Sequence, residues 1–468
     1  MPDPVKWADL LYAPEATARS VVRRVKNAEG SPGPCTHIPM VKGRRGSYRR
    51  ILYAHPFDEL RYRMLVGAVA SDVDLHLGDE VTSYRLADSG PEWYCRDYRY
   101  GIGDRQEAAL AFISSDRFGA LGILDISDYY SSIDCSLLEQ ELGALDCDSQ
   151  AVGAVVEWLF KWQETWGVKG LPVGPEGSGI LGNAALASLD HLLRAAGVPF
   201  QRYTDDIRLY LSDPERWWGL LDEIQAHLIS QRLLLNTDKV KLVETPRRAI
   251  KEVTDPTIEA WKETLRTDEA RGIAVCSLKI EEMAGTEHVQ GQQLRYALGV
   301  VGRAGSPGAL EALRADRWLL DLAPRHWGRY LREMRQRRLV DPGELITLAS
   351  GTDARNVVGN YHALLAAAAR ALPRECAAQI EELALSHDPG IPVALRCAAT
   401  HAWGKAEGVK HSKAVEAALA TGDPQHQRAL ILTLSSMSKG GKKSKALRKL
   451  RAAMPDWAVT INWASLPN

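Results

Sequence analysis

The stretch Tyr203-Thr204-Asp205-Asp206 lies between two short apolar runs, Phe200 to Tyr203 and Ile207 to Leu211. Both runs are rich in aromatic and β-branched residues, so they predict a β-hairpin whose tip carries two adjacent carboxylates. Aspartate suits the left-handed backbone conformations that such turns require. Adjacent acids repel each other when they lose water, and a cation relieves that repulsion. An Asp-Asp pair is also common in solvated turns, so the pair alone does not decide.

A second acid segment lies upstream. Leu121 to Ile126 (LGILDI) is an apolar run with Asp125 near its end, as expected for a buried strand that delivers one carboxylate to its exposed end. Between the two acid segments, Gly170 to Gly179 (GLPVGPEGSG) is a loop of small residues before a helix predicted from Ile180 to Ala196. This order of parts is typical of a nucleotidyl-transfer palm.

Such a palm uses two Mg²⁺ ions, roughly 4 Å apart, to activate a 3′-hydroxyl and to neutralise the leaving pyrophosphate. Mn²⁺ is an alternative ion. Because hard cations take oxygen ligands, Asp125 and Asp205 are the predicted metal ligands, with Asp206 as a supporting acid and the carbonyl of Ile126 as an additional ligand. The three aspartates are therefore the candidate catalytic residues.

On these residues the chain resembles bacterial reverse transcriptases related to retron and group II intron enzymes, and most of all the abortive-infection and defence-associated group. The resemblance is carried, in chain order, by Gly46 to Tyr53 (GSYRRILY) with Pro56, Leu124 to Ile133 (LDISDYYSSI), Leu171 to Ser178 (LPVGPEGS) with Asn183, Tyr203 to Asp206 (YTDD), and Leu235 to Lys241 (LNTDKVK). It implies a DNA polymerase that adds dNTPs to a 3′-hydroxyl in antiphage defence.

The resemblance also implies roles for single residues. Arg50, with Arg49 as a substitute, would bind the β- and γ-phosphates of the incoming nucleotide. Tyr130 would stand under the sugar and reject a 2′-hydroxyl, which implies dNTPs rather than NTPs as substrates. Lys239 would approach the pyrophosphate, and Gly174 would let the backbone come close to the nascent base pair.

One position departs from the family pattern. Templated members commonly have glutamine where this chain has Val173, and valine can neither donate nor accept a hydrogen bond. Ordinary template copying and relaxed-template or protein-primed synthesis therefore both stay open. Two further alternatives are a retron-like enzyme that copies a dedicated noncoding RNA and a non-catalytic nucleic-acid-binding scaffold.

Composition is that of a globular protein of about three domains. The chain has 468 residues, of which 45% are hydrophobic and 25% charged. No apolar run approaches the roughly 18 residues of a membrane span, and the N-terminus begins no secretory signal, so we expect no membrane association and a cytoplasmic location. The seven cysteines contain no Cys-x-x-Cys pair, which indicates neither a zinc site nor a disulfide framework.

The net charge of −1 is uninformative, because nucleic-acid binding depends on local basic patches. One patch, in the predicted fingers, is expected to bind an RNA or DNA template-primer and comprises Lys42, Arg44 and Arg45 together with Arg49 and Arg50. A second patch is either a nucleic-acid contact or a solvated helix face and comprises Lys439, Lys442, Lys443, Lys445, Arg448, Lys449 and Arg451.

The C-terminal part has a repeat. Asp353, Asp388 and Asp423 are spaced by 35 residues, and the last two are each followed by proline. A helix, an Asp-Pro turn and another helix at this period predict a HEAT-like α-solenoid, with aspartate as the N-cap and proline just inside the second helix. Because solenoid faces often self-associate, a homo-oligomer formed through this region stays open.

The predicted fold class is therefore α+β and mostly helical: a right-hand polymerase fingers-palm domain followed by a HEAT-like α-helical repeat domain. The predicted domains are fingers and palm at 1–250, a helical bridge at 251–288 and the helical repeat at 289–468. Trp7 to Asn27 is predicted as one amphipathic helix. Asp128 and Asp134 are interpreted as surface or capping acids near a helix predicted from Ser136 to Leu142.

Overall fold

The computed structural model describes residues 8–11, 13–26, 31–42, 48–87, 95–350, 356–407, 409–436, 441–454 and 457–465. This part of the chain is mostly helical with two antiparallel sheets, which confirms the predicted α+β class. The chain separates into two compact units. We call Ser31–Gly33 with Phe57–Pro256 the sheet unit, and Met1–Gly30 with Pro34–Pro56 and Thr257–Asn468 the helical unit. The predicted domain boundaries stay predictions.

Six strands are described. They are β1 (Thr36–Val41), β2 (Tyr48–Tyr53), β3 (Ala120–Asp125), β4 (Phe200–Tyr203), β5 (Asp206–Leu211) and β6 (Lys241–Val243). β1 and β2 form an antiparallel hairpin, the predicted fingers segment, which clusters with the helical unit. The other four form one antiparallel sheet in the order β4-β5-β3-β6 in the sheet unit.

The helices of the N-terminal half are α1 (Ala8–Leu11), α2 (Pro14–Lys26), α3 (Pro56–His76), α4 (Tyr98–Ile113), α5 (Tyr129–Ser132), α6 (Cys135–Ala144), α7 (Ser149–Trp166), α8 (Gly177–Ala184), α9 (Ala187–Ala195), α10 (Arg216–Ser230) and α11 (Pro246–Val253). Those that follow are α12 (Pro256–Thr267), α13 (Glu269–Met283), α14 (Gly291–Ala304), α15 (Ala309–Ala315), α16 (Trp318–Leu322), α17 (Pro324–Gln336), α18 (Pro342–Ala349), α19 (Val357–Ala367), α20 (Arg374–Leu385), α21 (Val393–Trp403), α22 (His411–Ala420), α23 (Pro424–Ser436), α24 (Gly441–Ala453) and α25 (Ala458–Ser465). None in the described residues is both long and apolar enough to cross a bilayer.

The sheet of the sheet unit is covered on both faces. On one face, Leu121 and Tyr210 belong to a buried cluster with Ala109 of α4 and Ala249 of α11. On the other face, Gly122 leaves room for the ring of a tryptophan on α10. Because successive side chains alternate between faces, this burial makes β3 apolar throughout and fixes its register against β5.

In the helical unit, helices pack as pairs and the pairs follow one another. α13 packs on α14, α18 on α19, α20 on α21, and α22 on α23. The second helix of each pair also belongs to a continuous series that includes α17 and α25. In this series each helix packs on the next, in the order α14, α17, α19, α21, α23 and α25. β1 contacts α19 of this series. The identification of these helices as a HEAT-like repeat stays a prediction.

The predicted repeat turns have mixed outcomes. Asp423 accepts hydrogen bonds from the backbone N–H groups of Gln425 (2.9 Å) and His426 (3.1 Å), and α23 begins at Pro424, which confirms the predicted cap and proline. Asp388 instead accepts from the N–H of Gly390 in a turn, and α21 begins only at Val393, so its capping role is wrong. Asp353 lies outside the described residues.

Two predicted helices are interrupted. The predicted helix from Trp7 to Asn27 is two helices, with α2 beginning at Pro14, because proline cannot continue a preceding helix. The predicted helix from Ile180 to Ala196 begins earlier and breaks between α8 and α9 at Leu186, whose φ of −116° and ψ of 10° are not helical. By contrast, α6 matches its prediction closely.

We expect Gly122→Ala to destabilise the protein by about 1–3 kcal/mol, because the new Cβ would lie 2.6 Å from the Trp217 ring and 3.2 Å from the Leu209 Cβ. Urea unfolding measures the change. Gly153→Ala in α7 is the matched control: its Cβ meets no heavy atom within 4 Å, so we expect about 0.5–1 kcal/mol of stabilisation. A Gly122→Ala protein as stable as wild type would contradict this packing of Trp217 on β3.

Candidate active site

Strand pairing brings two of the predicted acids together. Asp125 is the last residue of β3 and Asp206 the first of β5, and the two are Cα partners in the antiparallel register. Directly opposed residues project from the same face with Cβ atoms roughly 4.5–5.5 Å apart. Asp206 therefore lies in a strand, and the prediction that it occupies the hairpin tip is wrong; only Asp205 does so, with Thr204.

The hairpin turn has two residues, because Tyr203 and Asp206 are paired in the ladder. Thr204 has a positive φ of 59°, whereas the φ of Asp205 is not positive. The expectation that aspartate takes the left-handed conformation is therefore wrong. A β-branched residue there is strained, at a cost of about 1–3 kcal/mol, so surrounding groups must hold the turn in place.

A buried network does this. The N–H of Thr204 donates to the hydroxyl of Ser83 (2.8 Å), and the carbonyl of Thr204 accepts from the guanidinium of Arg202 (3.2 Å). Arg202 also donates to Asp190 (2.8 Å) and to the side-chain oxygen of Asn183 (3.0 Å). Asn183 in turn donates to the carbonyl of Ser83 (2.7 Å). The turn is thus connected to α8, α9 and the segment after α3.

Arg202 and Asp190 are both almost completely buried. Burial lowers the pKa of Arg202, but the charge of Asp190 and its hydrogen bond outweigh burial and raise this pKa, so the arginine stays charged. Sequence reasoning missed both residues. A signal was present: alternation in β4 places Arg202 on the same inward face as its partner Ile207, and a charge at such a position requires a buried counter-ion.

Asp125 is held by two groups from the segment after α10. The side-chain amide of Asn236 donates to it at 3.1 Å and the ammonium of Lys239 at 2.8 Å. The N–H of Asn236 donates to the backbone carbonyl of Asp125 (2.8 Å), and Ile126 forms a bridge with Leu235. Lys239 is 60% exposed, so it can leave this carboxylate at little cost. Its predicted approach to pyrophosphate stays a prediction.

Asp206 is paired with Arg105 of α4. The Arg105 side chain is only 9% exposed, and its Nε has no hydrogen-bond partner in the described structure. Burial, followed by the charge of Arg105, lowers the pKa of nearby Arg208 to about 10, so Arg208 is still charged at pH 7. Sequence reasoning missed Arg105, although it lies one turn from Gly101 and from Ala109 on the buried side of α4.

Tyr130 lies among glycines and another tyrosine. A Cβ on Gly182 would lie 3.2 Å from the Tyr130 ring, and a Cβ on Gly179 would overlap the ring of Tyr84. Burial, with the charge of Tyr84 next in importance, raises the pKa of Tyr130 well above its usual value, so the phenol is neutral. The charge of Asp205 makes a smaller contribution to the same rise in pKa. The predicted sugar-selecting role stays a prediction.

The remaining loop residues are placed as follows. Gly174 has φ of 129°, a conformation that L side chains rarely adopt. Asp134 caps α6 by accepting from the N–H groups of Ser136 and Leu137, which confirms the capping interpretation. Asp128 is exposed, has φ of 42° and makes no side-chain cap bond, in agreement with a surface acid.

The predicted metal ligands have suitable chemistry but are not preassembled. In the described residues, no three His, Cys, Asp or Glu side chains form a group that could hold a metal ion. Asp125 and Asp206 nevertheless offer hard oxygen donors on one face, and each is neutralised by a protein cation. A divalent ion would supply the positive charge that these two carboxylates now receive from Arg105 and Lys239, so the oxygen donors are chemically suitable for such an ion.

The predicted basic residues are only partly described. Arg49 and Arg50 are exposed on β2, and Lys42 is exposed just after β1, in the helical unit. Arg44 and Arg45 lie outside the described residues, as does Lys439 of the C-terminal patch. The contacts predicted for these residues with triphosphate or nucleic acid stay predictions.

An acid at the end of one strand, opposite a hairpin with two more acids, is the arrangement of a nucleotidyl-transfer palm. Residues 119–269 match the sequence profile of the family described as "Reverse transcriptase (RNA-dependent DNA polymerase)". This segment is a reverse transcriptase domain, and it indicates an RNA-directed DNA polymerase, a nucleotidyltransferase. Domains of this kind generally use divalent metals.

Two solved telomerase structures are similar to the chain. Apo telomerase from Candida tropicalis is 9% identical over 75% of this chain and 67% of that chain, with a TM-score of 0.35. Telomerase from Candida albicans, in complex with a fragment of telomeric RNA, is 12% identical over 73% of this chain and 69% of that chain, with a TM-score of 0.31. Likeness this distant does not bear on function. No curated protein matches the chain in sequence.

We expect Arg202→Met to destabilise the protein by about 3–5 kcal/mol, because it leaves Asp190 as an uncompensated buried charge. Asp190→Ala should cost a similar amount, and the double variant should cost clearly less than the sum. Denaturant unfolding of all three measures this coupling. Arg194→Met, which breaks an exposed pair with Glu80, is the matched control and should cost about 1 kcal/mol or less. Additive costs would contradict the Arg202–Asp190 pair.

Proposed function

We propose that the chain is a DNA polymerase of reverse-transcriptase type whose Asp125 and Asp205 hold two Mg²⁺ ions, with Mn²⁺ as a substitute. The single observation that supports this most is the register that sets Asp125 opposite Asp206, directly beside the Asp205 turn. When bound, the ions would activate the primer 3′-hydroxyl and neutralise the pyrophosphate. The substrates are dNTPs and a template-primer.

The two partners of the strand-end acids differ in what they allow. Lys239 is exposed and can move away from Asp125 when a metal ion arrives. Arg105 is buried and has no comparable freedom, so Asp206 stays committed to its ion pair. We therefore assign Asp206 as a positioning residue for the hairpin and Asp205 as the metal ligand from that hairpin.

The turn network supports the same division of roles. Thr204 is held by Ser83 and Arg202, so the backbone of Asp205 has a defined position before any ligand binds. Phosphoryl transfer depends chiefly on positioning and electrostatic neutralisation, and a preorganised turn supplies the first of these. Strain in Thr204 is thus located where position matters most.

A role in antiphage defence is our further proposal for the same activity. It is supported by the resemblance of the acid, glycine-loop and hairpin segments to defence-associated enzymes. The array of paired helices from α13 onward is what a helical-repeat domain following the palm would require. A conventional retron-like enzyme would differ in copying one dedicated noncoding RNA.

We expect Asp125→Asn and Asp205→Asn each to reduce Mg²⁺-dependent dNTP incorporation more than 100-fold, because each removes a metal-binding charge. Asp206→Asn should cost roughly 10–100-fold, as for a residue that supports a ligand. Radiolabelled incorporation on a primed RNA template measures these effects. Asp128→Asn is the matched control, since this exposed acid lies three residues after Asp125 and asparagine tolerates its left-handed backbone.

Folding of each variant is checked by circular dichroism, so that loss of activity is separated from loss of structure. Full incorporation by Asp125→Asn or Asp205→Asn would refute the site. Plaque counts on a host expressing the Asp125→Asn or the Asp128→Asn protein test the defence role. Equal protection by both would remove that role and leave the polymerase assignment unaffected.

We expect Tyr130→Ala to raise ribonucleotide incorporation relative to deoxyribonucleotide incorporation at least tenfold, because the ring beside Gly182 would no longer fill the space under the sugar. The ratio of kcat/KM for a dNTP and the matching NTP measures it. Tyr130→Phe keeps the ring and should keep the selectivity. Unchanged selectivity in Tyr130→Ala would show that this residue has only a packing role.

A further inference from the structure

α17 carries a stripe of exposed arginines in the helical unit. Arg325, Arg329 and Arg332 are separated by four and three residues, which places them on one face of the helix. The neighbouring helix α14 packs on α17 and carries exposed Arg295. We call Arg295, Arg325, Arg329 and Arg332 the arginine patch.

The positive charges of the arginine patch lower the pKa values of two nearby histidines. His326 lies on α17, and burial together with the charges of Arg295, Arg329 and Arg325 lowers its pKa to about 4. His362 lies on the adjacent α19, where it contacts Gly328 of α17. Burial, followed by the charge of Arg325, lowers its pKa to about 3, and Arg329 and Arg332 contribute. The geometry agrees, because three of the four arginines lie on one face of α17 and the fourth lies on α14, which packs on α17.

The patch is not neutralised by the protein. In the residues that the structure describes, none of its four arginines forms an ion pair with a carboxylate. Two other exposed arginines of the same unit do form such pairs: Arg266 with Glu263, and Arg314 with Glu311 and Glu344.

Unpaired like charges four residues apart on one helix face repel each other and destabilise the helix. An anion that spans several arginines removes this repulsion. Guanidinium groups are always charged, and their planar fork matches the oxygens of a phosphate. The eight residues from Arg325 to Arg332 cover about 10 Å of helix, so the patch suits a chain of phosphates better than one isolated phosphate.

We propose that the arginine patch binds the sugar–phosphate backbone of a nucleic-acid strand. None of its residues belongs to the catalytic acids or to either basic segment recognised in the sequence. The proposal depends on the proposed polymerase function only for the source of the bound strand, which would be the template or the DNA product. Because it reads phosphates, the patch contacts RNA and DNA by the same chemistry and without sequence preference.

The test is equilibrium binding of fluorescent 20-nucleotide RNA and DNA strands to the full-length protein, measured by anisotropy over a range of salt concentrations. The variant replaces all four arginines of the patch by glutamine. We expect the affinity at about 0.1 M salt to fall roughly tenfold to 100-fold, and the slope of log K against log salt to become smaller by about 3, as for the loss of four phosphate contacts to a single strand. Equal losses for RNA and DNA identify the shared backbone as the ligand.

A control variant removes the same net charge from paired, exposed positions of the helical unit: Lys262→Gln, Arg266→Gln, Lys279→Gln and Arg314→Gln. We expect it to keep the wild-type salt slope. If the patch variant binds both strands like the control, the proposal is refuted. It is equally refuted if the patch variant keeps its affinity for nucleic acid but loses binding to phosphatidylserine vesicles.

The catalytic proposal fails separately. The patch variant should keep kcat for dNTP incorporation at saturating template-primer and show a raised KM for template-primer. Asp125→Asn should lose kcat and keep the wild-type affinity for single strands. A protein that binds strands through the patch but never incorporates dNTPs would refute the polymerase function and leave the patch standing.

Discussion

The antiparallel pairing of β3 with β5 is the constraint on which the site depends. It sets Asp125 opposite Asp206 and leaves room for only a two-residue turn between β4 and β5. A slip of β5 by one residue would send the Asp206 carboxylate to the opposite face of the sheet from Asp125. The register is protected by burial, because Leu121 packs against α4 and α11 while Gly122 makes room for Trp217 on the other side.

Two buried arginines then stabilise the hairpin from opposite faces of the sheet. Arg105 approaches from α4 and pairs with Asp206, whereas Arg202 points to the other side and pairs with Asp190. Each pair is expensive to form, since charges lose water on burial, and each therefore persists only if the surrounding structure supplies the remaining hydrogen bonds. One of these hydrogen bonds runs from Arg202 to the carbonyl of Thr204, and it fixes the position of the turn.

Positive charge has a different role in each part of the protein. Lys239 on Asp125 is exposed and exchangeable, which would suit the metal-binding role that we propose for this carboxylate. Arg105 is enclosed and permanent. The arginine patch of α14 and α17 has no acidic partner within the described residues, and its charge is available to an external anion. Burial and pairing, rather than residue type, separate these three roles.

Local patterns in the sequence were enough for the strands that carry the acids, because apolar runs with aromatic and β-branched residues favour strands wherever they are buried. Breaks within helices were less visible: Leu186 interrupts a run of good helix formers, and only its packing environment accounts for the non-helical backbone. Asp388 shows the same limit, since its turn delays the start of α21 in a way that the Asp-Pro pattern does not indicate.

The sequence by itself determined the class of fold and the order of the acid segments, and it supplied the candidate metal ligands, because these depend on residue type and spacing along the chain. Only the tertiary structure decided which cation faces each acid and which residue bears the strained turn. Arg105 meets Asp206, and Ser83 meets Thr204, across about 100 residues or more of sequence. Contacts that distant arise from packing, and no local pattern encodes them.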